Sequence, residues 1–150
     1  MILRTARVEE AEELTSLAVR SKRTWGYDDD FMQRVMPDMI VHPHYLTAEH
    51  GIVAEDGGTI VGYAIVRVEA DKAFLRNLFV EPNRFREGIG KGLFQESVRF
   101  ARQRGAKTII LGGDPHAIGF YKRMGMRRIG DEPSLAGGGR MLPIMARDIA

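Results

Sequence analysis

The stretch Leu78-Phe79-Val80-Glu81-Pro82, followed by Arg86-Glu87-Gly88-Ile89-Gly90-Lys91-Gly92-Leu93, decides how the chain is interpreted. Its first part has the composition of a buried strand, and its second part places a glycine-rich turn at the start of an amphipathic helix. Alternate glycines remove side chains from the helix start, so the backbone N–H groups there are exposed. These groups and the helix dipole favour an anion. The stretch therefore predicts a site for a phosphate or a diphosphate.

Two commoner phosphate-binding motifs do not fit these glycines. The dinucleotide fingerprint Gly-x-Gly-x-x-Gly fails because Leu93 stands where its third glycine belongs. The P-loop pattern fails because Phe85 replaces its first glycine and Gly92 follows Lys91 in place of Ser or Thr. A glycine-rich turn alone is weak evidence, since many are only tight turns. The strand before this turn and the helix after it give it weight.

Composition restricts the classes of protein to which the chain can belong. It has 150 residues, 44% of them hydrophobic and 28% charged, as expected for one globular domain over residues 1–150. A net charge of +2 gives no broad positive field, so no nucleic-acid partner is expected. Without a bilayer-spanning apolar stretch or a signal-peptide pattern, the chain is expected to be cytoplasmic and to have no membrane partner. Because cysteine is absent, disulfides, thiolate metal ligands and cysteine nucleophiles are excluded.

Hydrophobic periodicity and turn residues predict a mixed α/β (α+β) fold. Strands are expected over residues 2–7, 51–55, 59–69, 73–80, 107–111, 126–130 and 141–148, and helices over residues 9–20, 28–36, 88–104 and 114–124. Residues 37–47 are expected to be irregular. Three strands joined by short turns, then a strand–helix–strand arrangement, predict a mostly antiparallel central sheet of about seven strands with helices on both faces.

A second motif follows the first at a regular distance. It consists of Asp114-Pro115, Ala117, Phe120, Tyr121 and Gly125-Met126. The two motifs, in this order and at this spacing, resemble the acetyl-CoA-binding segments of the GNAT superfamily of N-acetyltransferases. The resemblance extends over nearly the whole chain and is strongest over residues 78–126. It implies a GNAT-like fold that uses acetyl-CoA as its cofactor.

The resemblance also implies which residues hold the cofactor. Backbone amides around the glycines would bind the CoA diphosphate, and the strand that ends at Val80 would pair with the pantetheine arm. In the family this strand and the one at residues 107–111 splay apart, and the cofactor lies between them. The implied cofactor-binding residues are Leu78, Phe79, Val80, Arg86, Glu87, Gly88, Ile89, Gly90, Lys91, Gly92, Asp114, Ala117 and Phe120. Whether Arg84 or Arg86 adds a charged contact stays open.

Tyr121 matches the position of the family's usual general acid, which protonates the departing thiolate. The alternative is that Tyr121 is only a core aromatic. Many members carry a glutamate that acts as general base on the strand before Leu78, but residues 73–80 contain no carboxylate. The base is therefore open among Glu69, Asp71, Glu81, a residue of the substrate loop and a water chain.

The segment after the first helix commonly shapes the acceptor pocket in this family. It contains Trp25, Tyr27, Asp30 and Phe31, and aromatic rings with an acid can hold an amine by cation–π and charge pairing. Equally, Trp25 and Phe31 can serve only to fix the two helices on the core. No metal site is expected, because His42-x-His44 has no cysteine and no clear third ligand nearby.

Together, these features predict an enzyme that moves an acetyl group from acetyl-CoA to a primary amine of a small molecule or a protein. Because no cysteine is available, the amine is expected to attack the thioester directly. The alternative is a catalytically inactive CoA-binding sensor or regulatory module. The missing strand carboxylate favours that alternative, whereas the intact glycines and Tyr121 oppose it. The resemblance also allows a homodimer.

Overall fold

The strands of the computed structural model, which describes residues 1–134 and 136–150, form a mixed sheet. Within these residues the strands are β1 (Ile2–Thr5), β2 (His50–Asp56), β3 (Thr59–Glu69), β4 (Lys72–Val80), β5 (Thr108–Gly112), β6 (Arg127–Pro133) and β7 (Met141–Asp148). Their order across the sheet is β1-β2-β3-β4-β5-β7-β6. The β4–β5 pair is parallel and the other neighbouring pairs are antiparallel. The predicted mostly antiparallel, seven-stranded sheet is confirmed.

Helices cover both faces of this sheet, as predicted. In the described residues they are α1 (Ala11–Arg23), α2 (Asp29–Met39), α3 (Tyr45–Ala48), α4 (Ile89–Gln103) and α5 (Ile118–Arg123), with short 3-10 turns at Val8–Glu10, Pro82–Arg84 and Pro115–Ala117. Alternation along β3 divides the core between the two faces. Tyr63 and Ile65 pack with α1 and α2, whereas Ala64 and Val66 pack with α4.

The segment around Pro37 differs from the sequence prediction. α2 continues through Pro37 to Met39 instead of ending at Met36. A proline inside a helix removes one hydrogen bond, but Met39 is buried in the core and Ile40 N donates to Met36 O (3.2 Å), which closes the last turn. The prediction of irregular structure over residues 37–47 was therefore wrong at its start, and it also missed the start of α3 at Tyr45.

The helix predicted over residues 114–124 is divided in two. Pro115–Ala117 forms a 3-10 turn, and the α-helix begins only at Ile118. The Asp114 carboxylate caps the turn by accepting a hydrogen bond from His116 N (2.8 Å). This cap fixes the carboxylate at the end of β5, where the candidate site lies.

Candidate active site

β4 and β5 diverge, and the opening between them holds the candidate site. β4 pairs with β3 from Lys72 to Val80. It pairs with β5 only through residues 72–74, opposite residues 108–110. Among the described residues, no strand lies beside the free edge of β4 over residues 75–80. The splay expected for these two strands is present, and it leaves a backbone edge available for a ligand.

A large cavity of about 640 Å³ opens at the carboxyl end of β4. Its walls come from β4, the loop that follows, the start of α4 and helix α5. The predicted cofactor-binding residues that line it are Leu78, Phe79, Val80, Arg86, Gly88, Ile89, Gly90, Lys91, Ala117 and Phe120. Other residues of the wall include Ser21, Trp25, His116, Tyr121, Arg123 and Met124. The structure thus brings both sequence motifs to one cavity.

The start of α4 supplies free backbone amides at this wall. Gly88 is the N-cap residue and has φ +84°, a left-handed conformation that favours glycine. The first helical hydrogen bond runs from Gly92 N to Gly88 O (3.0 Å), so the amides of residues 89–91 have no partner inside the helix. The amide of Gly92 already donates within the helix, so Gly92 has no free amide to offer to the predicted diphosphate site.

Gly90 is required by close packing as well as by access to its amide. A Cβ at this position would lie 3.2 Å from the ring of Phe120 and 3.6 Å from a methyl group of Val80. A side chain would therefore fill the space between the start of α4 and the wall that Phe120 and Val80 form, which we call the cradle. The backbone amides and this bare cradle fit a diphosphate group.

Basic side chains at the large cavity can add charge to the cradle. Arg84 is held by two carboxylates, because its Nη2 donates to Asp56 (2.8 Å) and its Nε donates to Glu87 (2.9 Å). Glu87 is occupied by this pair and does not line the cavity, contrary to its place in the predicted set. The cavity-lining basic residues that form no ion pair with a described residue are Arg86, Lys91 and Arg123.

A small cavity of about 90 Å³ adjoins the large one. It is lined by Lys22, Asp38, Met39, Leu75, Arg76, Asn77, Leu111, Gly112, Gly113, Asp114 and Leu142. Five further residues line both cavities, namely Trp25, Leu78, Phe79, Ala117 and Tyr121. This shared wall is the place at which ligands of the two cavities can meet.

Tyr121 stands in the shared wall and is only 7% exposed. Its ring makes an edge-on contact with Phe120, at 5.1 Å between ring centres. Burial raises the pKa of the Tyr121 hydroxyl above its ordinary value, so the hydroxyl stays protonated at neutral pH. A protonated phenol at this position can give a proton to a basic atom in either cavity.

Asp114 lies at the small cavity, whereas the sequence motif had placed it with the cofactor. Its carboxylate accepts hydrogen bonds from Lys22 Nζ (3.1 Å), Tyr27 Oη (2.8 Å) and Arg140 Nη2 (3.2 Å). Burial favours the neutral acid, but hydrogen bonds from His116 and the charge of Lys22 outweigh this effect and hold the pKa of Asp114 at about 2. Asp114 is therefore ionised at neutral pH and joins α1, the loop after it, the 3-10 turn before α5 and the segment before β7.

The predicted acceptor residues are only partly brought together. Trp25 lines both cavities. Tyr27 lines neither, but its hydroxyl donates a hydrogen bond to Asp114, which lines the small cavity. Phe31 is buried and stacks on Tyr27 at 3.9 Å between ring centres, which is the packing role considered as its alternative. Asp30 lies apart from the others, because its side chain is 82% exposed, pairs with Arg34 and lines neither cavity.

None of the residues considered as general base lines either cavity. Glu81 accepts two hydrogen bonds from Arg20, and Glu69 pairs with Arg67. Asp71 lies in the turn between β3 and β4. The carboxylates that do line the small cavity are Asp38 and Asp114.

Sequence reasoning missed three charged residues of the small cavity. Lys22 lies in the last turn of α1, where the helix dipole favours a basic residue without any site, and Asp38 fell in the segment predicted to be irregular. Arg76 is the extra residue of a β-bulge, since Leu75 pairs with Val66 and Asn77 with Ile65. The available signal for it was the polar pair Arg76-Asn77 between apolar residues of the strand.

His42, His44 and Tyr45 pack on one another. Among residues 1–134 and 136–150, no group of three or more His, Cys, Asp or Glu side chains could hold a metal ion. In the same residues, no helix has the length and apolar character needed to cross a membrane.

Comparison with known proteins places the chain in a family. The model of the Acetyltransferase (GNAT) family matches residues 11–126. A candidate ribosomal protein bS18-alanine N-acetyltransferase of Bacillus subtilis (strain 168) is 23% identical over 128 residues, which cover 83% of this chain and 80% of the relative.

Solved structures with bound coenzyme A share the fold. PaiA N-acetyltransferase of Thermoplasma acidophilum, in complex with coenzyme A, gives a TM-score of 0.80 at 18% identity and covers 98% of both chains. An aminoglycoside 6'-N-acetyltransferase complexed with coenzyme A gives a TM-score of 0.74 at 21% identity, over 100% of this chain and 98% of the other. The chain therefore belongs to the GNAT family and is an N-acetyltransferase whose cofactor is acetyl-CoA.

Proposed function

We propose that the chain transfers an acetyl group from acetyl-CoA to a primary amine, with the two substrates in the two cavities and Tyr121 as general acid. The observation that carries this proposal is that the large and small cavities share Leu78, Phe79 and Tyr121. A thioester in the large cavity and an amine in the small cavity would meet at this wall.

The large cavity offers separate groups for the two ends of the cofactor. The amides of residues 89–91, with the side chains of Arg86 and Lys91, would hold the diphosphate. The free edge of β4 over residues 78–80 would pair with the amides of the pantetheine arm. Bound acetyl-CoA supplies the thioester from which the acetyl group is transferred.

Tyr121 accounts for one half of the proton balance. The reaction forms one C–N bond and breaks one C–S bond, while the amine loses a proton to water and the CoA sulfur gains one. Tyr121 is protonated at neutral pH, as burial raises its pKa further, and would give its Oη proton to the departing sulfur and recover one from solvent. A backbone N–H near Val80 would polarise the thioester carbonyl. The chain has no cysteine, which supports direct attack by the amine.

The small cavity supports an amine acceptor. Trp25 offers a ring face, and Asp38 offers a carboxylate in the same wall. The similar proteins differ in the acceptors that their names give, which are an alanine of a ribosomal protein and an aminoglycoside. A small molecule and a protein amine are therefore both acceptors to be tested.

The proposal is tested by incubating the protein with acetyl-CoA and a panel of amines. The panel contains small α-amino acids, a diamine, an aminoglycoside and a peptide with an N-terminal alanine. We expect release of CoA thiol in equal amount to an acetylated product that is detected by mass, above the background without amine. Binding of acetyl-CoA by calorimetry with no product from any amine would favour the CoA-binding module instead.

A further inference from the structure

Lys22 places a half-buried ammonium group in the wall of the small cavity. Its side chain is 12% exposed, and Nζ lies 5.8 Å from the ring centre of Trp25 and 5.6 Å from that of Tyr27. An ammonium has three N–H donors. Among the described residues, Asp114 Oδ2 is its hydrogen-bond acceptor, at 3.1 Å. Donors are therefore left for an oxygen atom of a ligand, since buried donors without partners are costly.

The charge around Lys22 is not fully compensated. Asp114 pairs with two cations at once, Lys22 and Arg140, so these three groups carry one net positive charge when His116 is neutral. The other cation of the small cavity, Arg76, is neutralised by the nearly buried Glu49, at 2.8 Å from its Nη2. Asp38 also lies at the cavity and contributes negative charge toward Arg76. The four charged residues that line the cavity balance one another, since Lys22 and Arg76 accompany Asp38 and Asp114. The positive excess beside Lys22 comes from Arg140, which pairs with Asp114 but lines neither cavity.

An anionic oxygen on the acceptor fits the end of the cavity that Lys22 and Asp114 form. A water-sized group needs roughly 10–15 Å³. The small cavity of about 90 Å³ therefore has room for on the order of six to nine non-hydrogen atoms or small groups. Tyr121 lies in the same cavity, so the reactive amine and the anionic group must be close together in one small molecule. A small α-amino acid has this chemistry, because its amine and carboxylate are attached to the same carbon.

We propose that the acceptor is a small α-amino acid and that Lys22 binds its carboxylate; this inference rests on the function proposed above. The Trp25 and Tyr27 rings keep the ammonium in place, and Asp114 orients it from behind. An amide or a plain amine of the same size lacks the negative charge, so it leaves the excess charge at Lys22 uncompensated. Lys22 is therefore a specificity-determining residue.

The test compares each acid with its amide. Glycine, alanine and serine are assayed beside glycinamide, alaninamide and serinamide, and kcat/KM for acetylation is measured with the native chain, Lys22→Met, Lys22→Gln and Lys22→Arg. The amine pKa values of each pair belong to the substrates, so they cancel when the acid-to-amide ratio of a variant is divided by that of the native chain. Lys107→Met removes an exposed charge outside both cavities and is the matched control.

We expect the acid-to-amide ratio of kcat/KM to be roughly 10- to 100-fold lower in Lys22→Met and Lys22→Gln than in the native chain. This is the range for one charge-assisted hydrogen bond. Lys22→Arg and Lys107→Met should keep most of the preference. Calorimetry with acetyl-CoA identifies any variant that has not folded. The acid-to-amide ratio of the native chain tests the preference for a carboxylate even where a variant fails to fold.

Three results would overturn this inference while leaving the proposed function intact. They are an amide or an N-terminal peptide that reacts as well as the acid, an acid preference that survives Lys22→Met, and acetylation confined to amines that have no carboxylate. Failure of the proposed function looks different, because then no amine of any kind is acetylated although acetyl-CoA binds.

Discussion

The large and small cavities are built from different parts of the polypeptide. The phosphate end of the large cavity consists of backbone amides at residues 89–91, whereas the polar groups of the small cavity are side chains from separate elements, among them Lys22, Asp38, Arg76 and Asp114. A site made of backbone amides depends on the backbone conformation, so the side chains around it can be substituted while the amide donors remain. A side-chain site can change its ligand with a single substitution. This difference between the two cavities is consistent with a family whose members share a cofactor and differ in their acceptors.

The largest expected effect comes from filling the backbone cradle. Gly90→Val would place its Cβ 3.2 Å from Phe120 and its methyl groups in the space for the diphosphate. Loss of two charge-assisted hydrogen bonds from backbone amides would weaken acetyl-CoA binding roughly 100-fold or more, measured by calorimetry.

Gly92→Ala is the matched control for the cradle. Its Cβ would meet nothing nearer than Leu3 Cδ1 at 4.0 Å, and the Gly92 amide already bonds within the helix. Acetyl-CoA affinity should stay within about twofold, since no ligand contact changes. Equal losses in Gly90→Val and Gly92→Ala would contradict the assignment of the amides at residues 89–91.

The next effect concerns the shared wall. Tyr121→Phe keeps the ring and removes the proton, so we expect kcat to fall roughly 100-fold while the Kd for acetyl-CoA changes by no more than about threefold. Steady-state kinetics with the best amine and calorimetry on the same preparation measure both values. An unchanged kcat would remove Tyr121 from the mechanism and leave it as a core aromatic.

A smaller effect concerns the stability of the side-chain site. The folded-state pKa of Asp114 is about 2, below the ordinary value of 3.8. A lowered pKa means that the unfolded chain binds more protons, so the contribution of Asp114 to stability is present above pH 4 and is lost as the pH falls toward 2. We expect Asp114→Asn to lower the free energy of unfolding by about 1–3 kcal/mol at pH 7 and to flatten this acid dependence.

Asp30→Asn serves as the control for Asp114, because it removes an exposed carboxylate of the same type. Urea unfolding between pH 2 and pH 7 should show little difference from the native chain, as expected for an exposed ion pair. If Asp30→Asn and Asp114→Asn lose equal stability, the buried hydrogen-bond network is not the cause.

The smallest effect comes from a second buried tyrosine, behind the shared wall. Tyr63 packs near Phe79, and its hydroxyl has no hydrogen-bond partner among the described residues. Tyr63→Phe removes a buried unsatisfied group, so we expect a rise in Tm of a few degrees at most and an unchanged kcat. A loss of kcat in Tyr63→Phe as large as in Tyr121→Phe would contradict a specific proton-donor role for Tyr121.

The sheet, the helices on both faces and the residues of the large cavity could be predicted because their signals are local in sequence. Glycines at alternate positions after an apolar strand identify one turn and one helix start. Lys22 and Arg76 gave no such signal, because their role arises only when α1 and β4 meet. Arg76 lies in a bulge, and side-chain alternation cannot show an extra residue in advance.

The acids of α2 show why part of the acceptor site was missed. Asp30 was chosen because it lies among aromatic residues, yet it faces solvent beside Arg34. Asp38 lines the small cavity because the helix continues past Pro37, and burial of Met39 holds that last turn in place. Tertiary packing at this helix end outweighed the local preference of proline.

A crystal structure with bound CoA would show whether the two cavities meet at Tyr121. We expect the diphosphate on the amides of residues 89–91 and the CoA sulfur within hydrogen-bond reach of Tyr121 Oη, at about 3–4 Å. A diphosphate away from the start of α4, or a sulfur more than about 6 Å from Tyr121 Oη, would contradict this expectation.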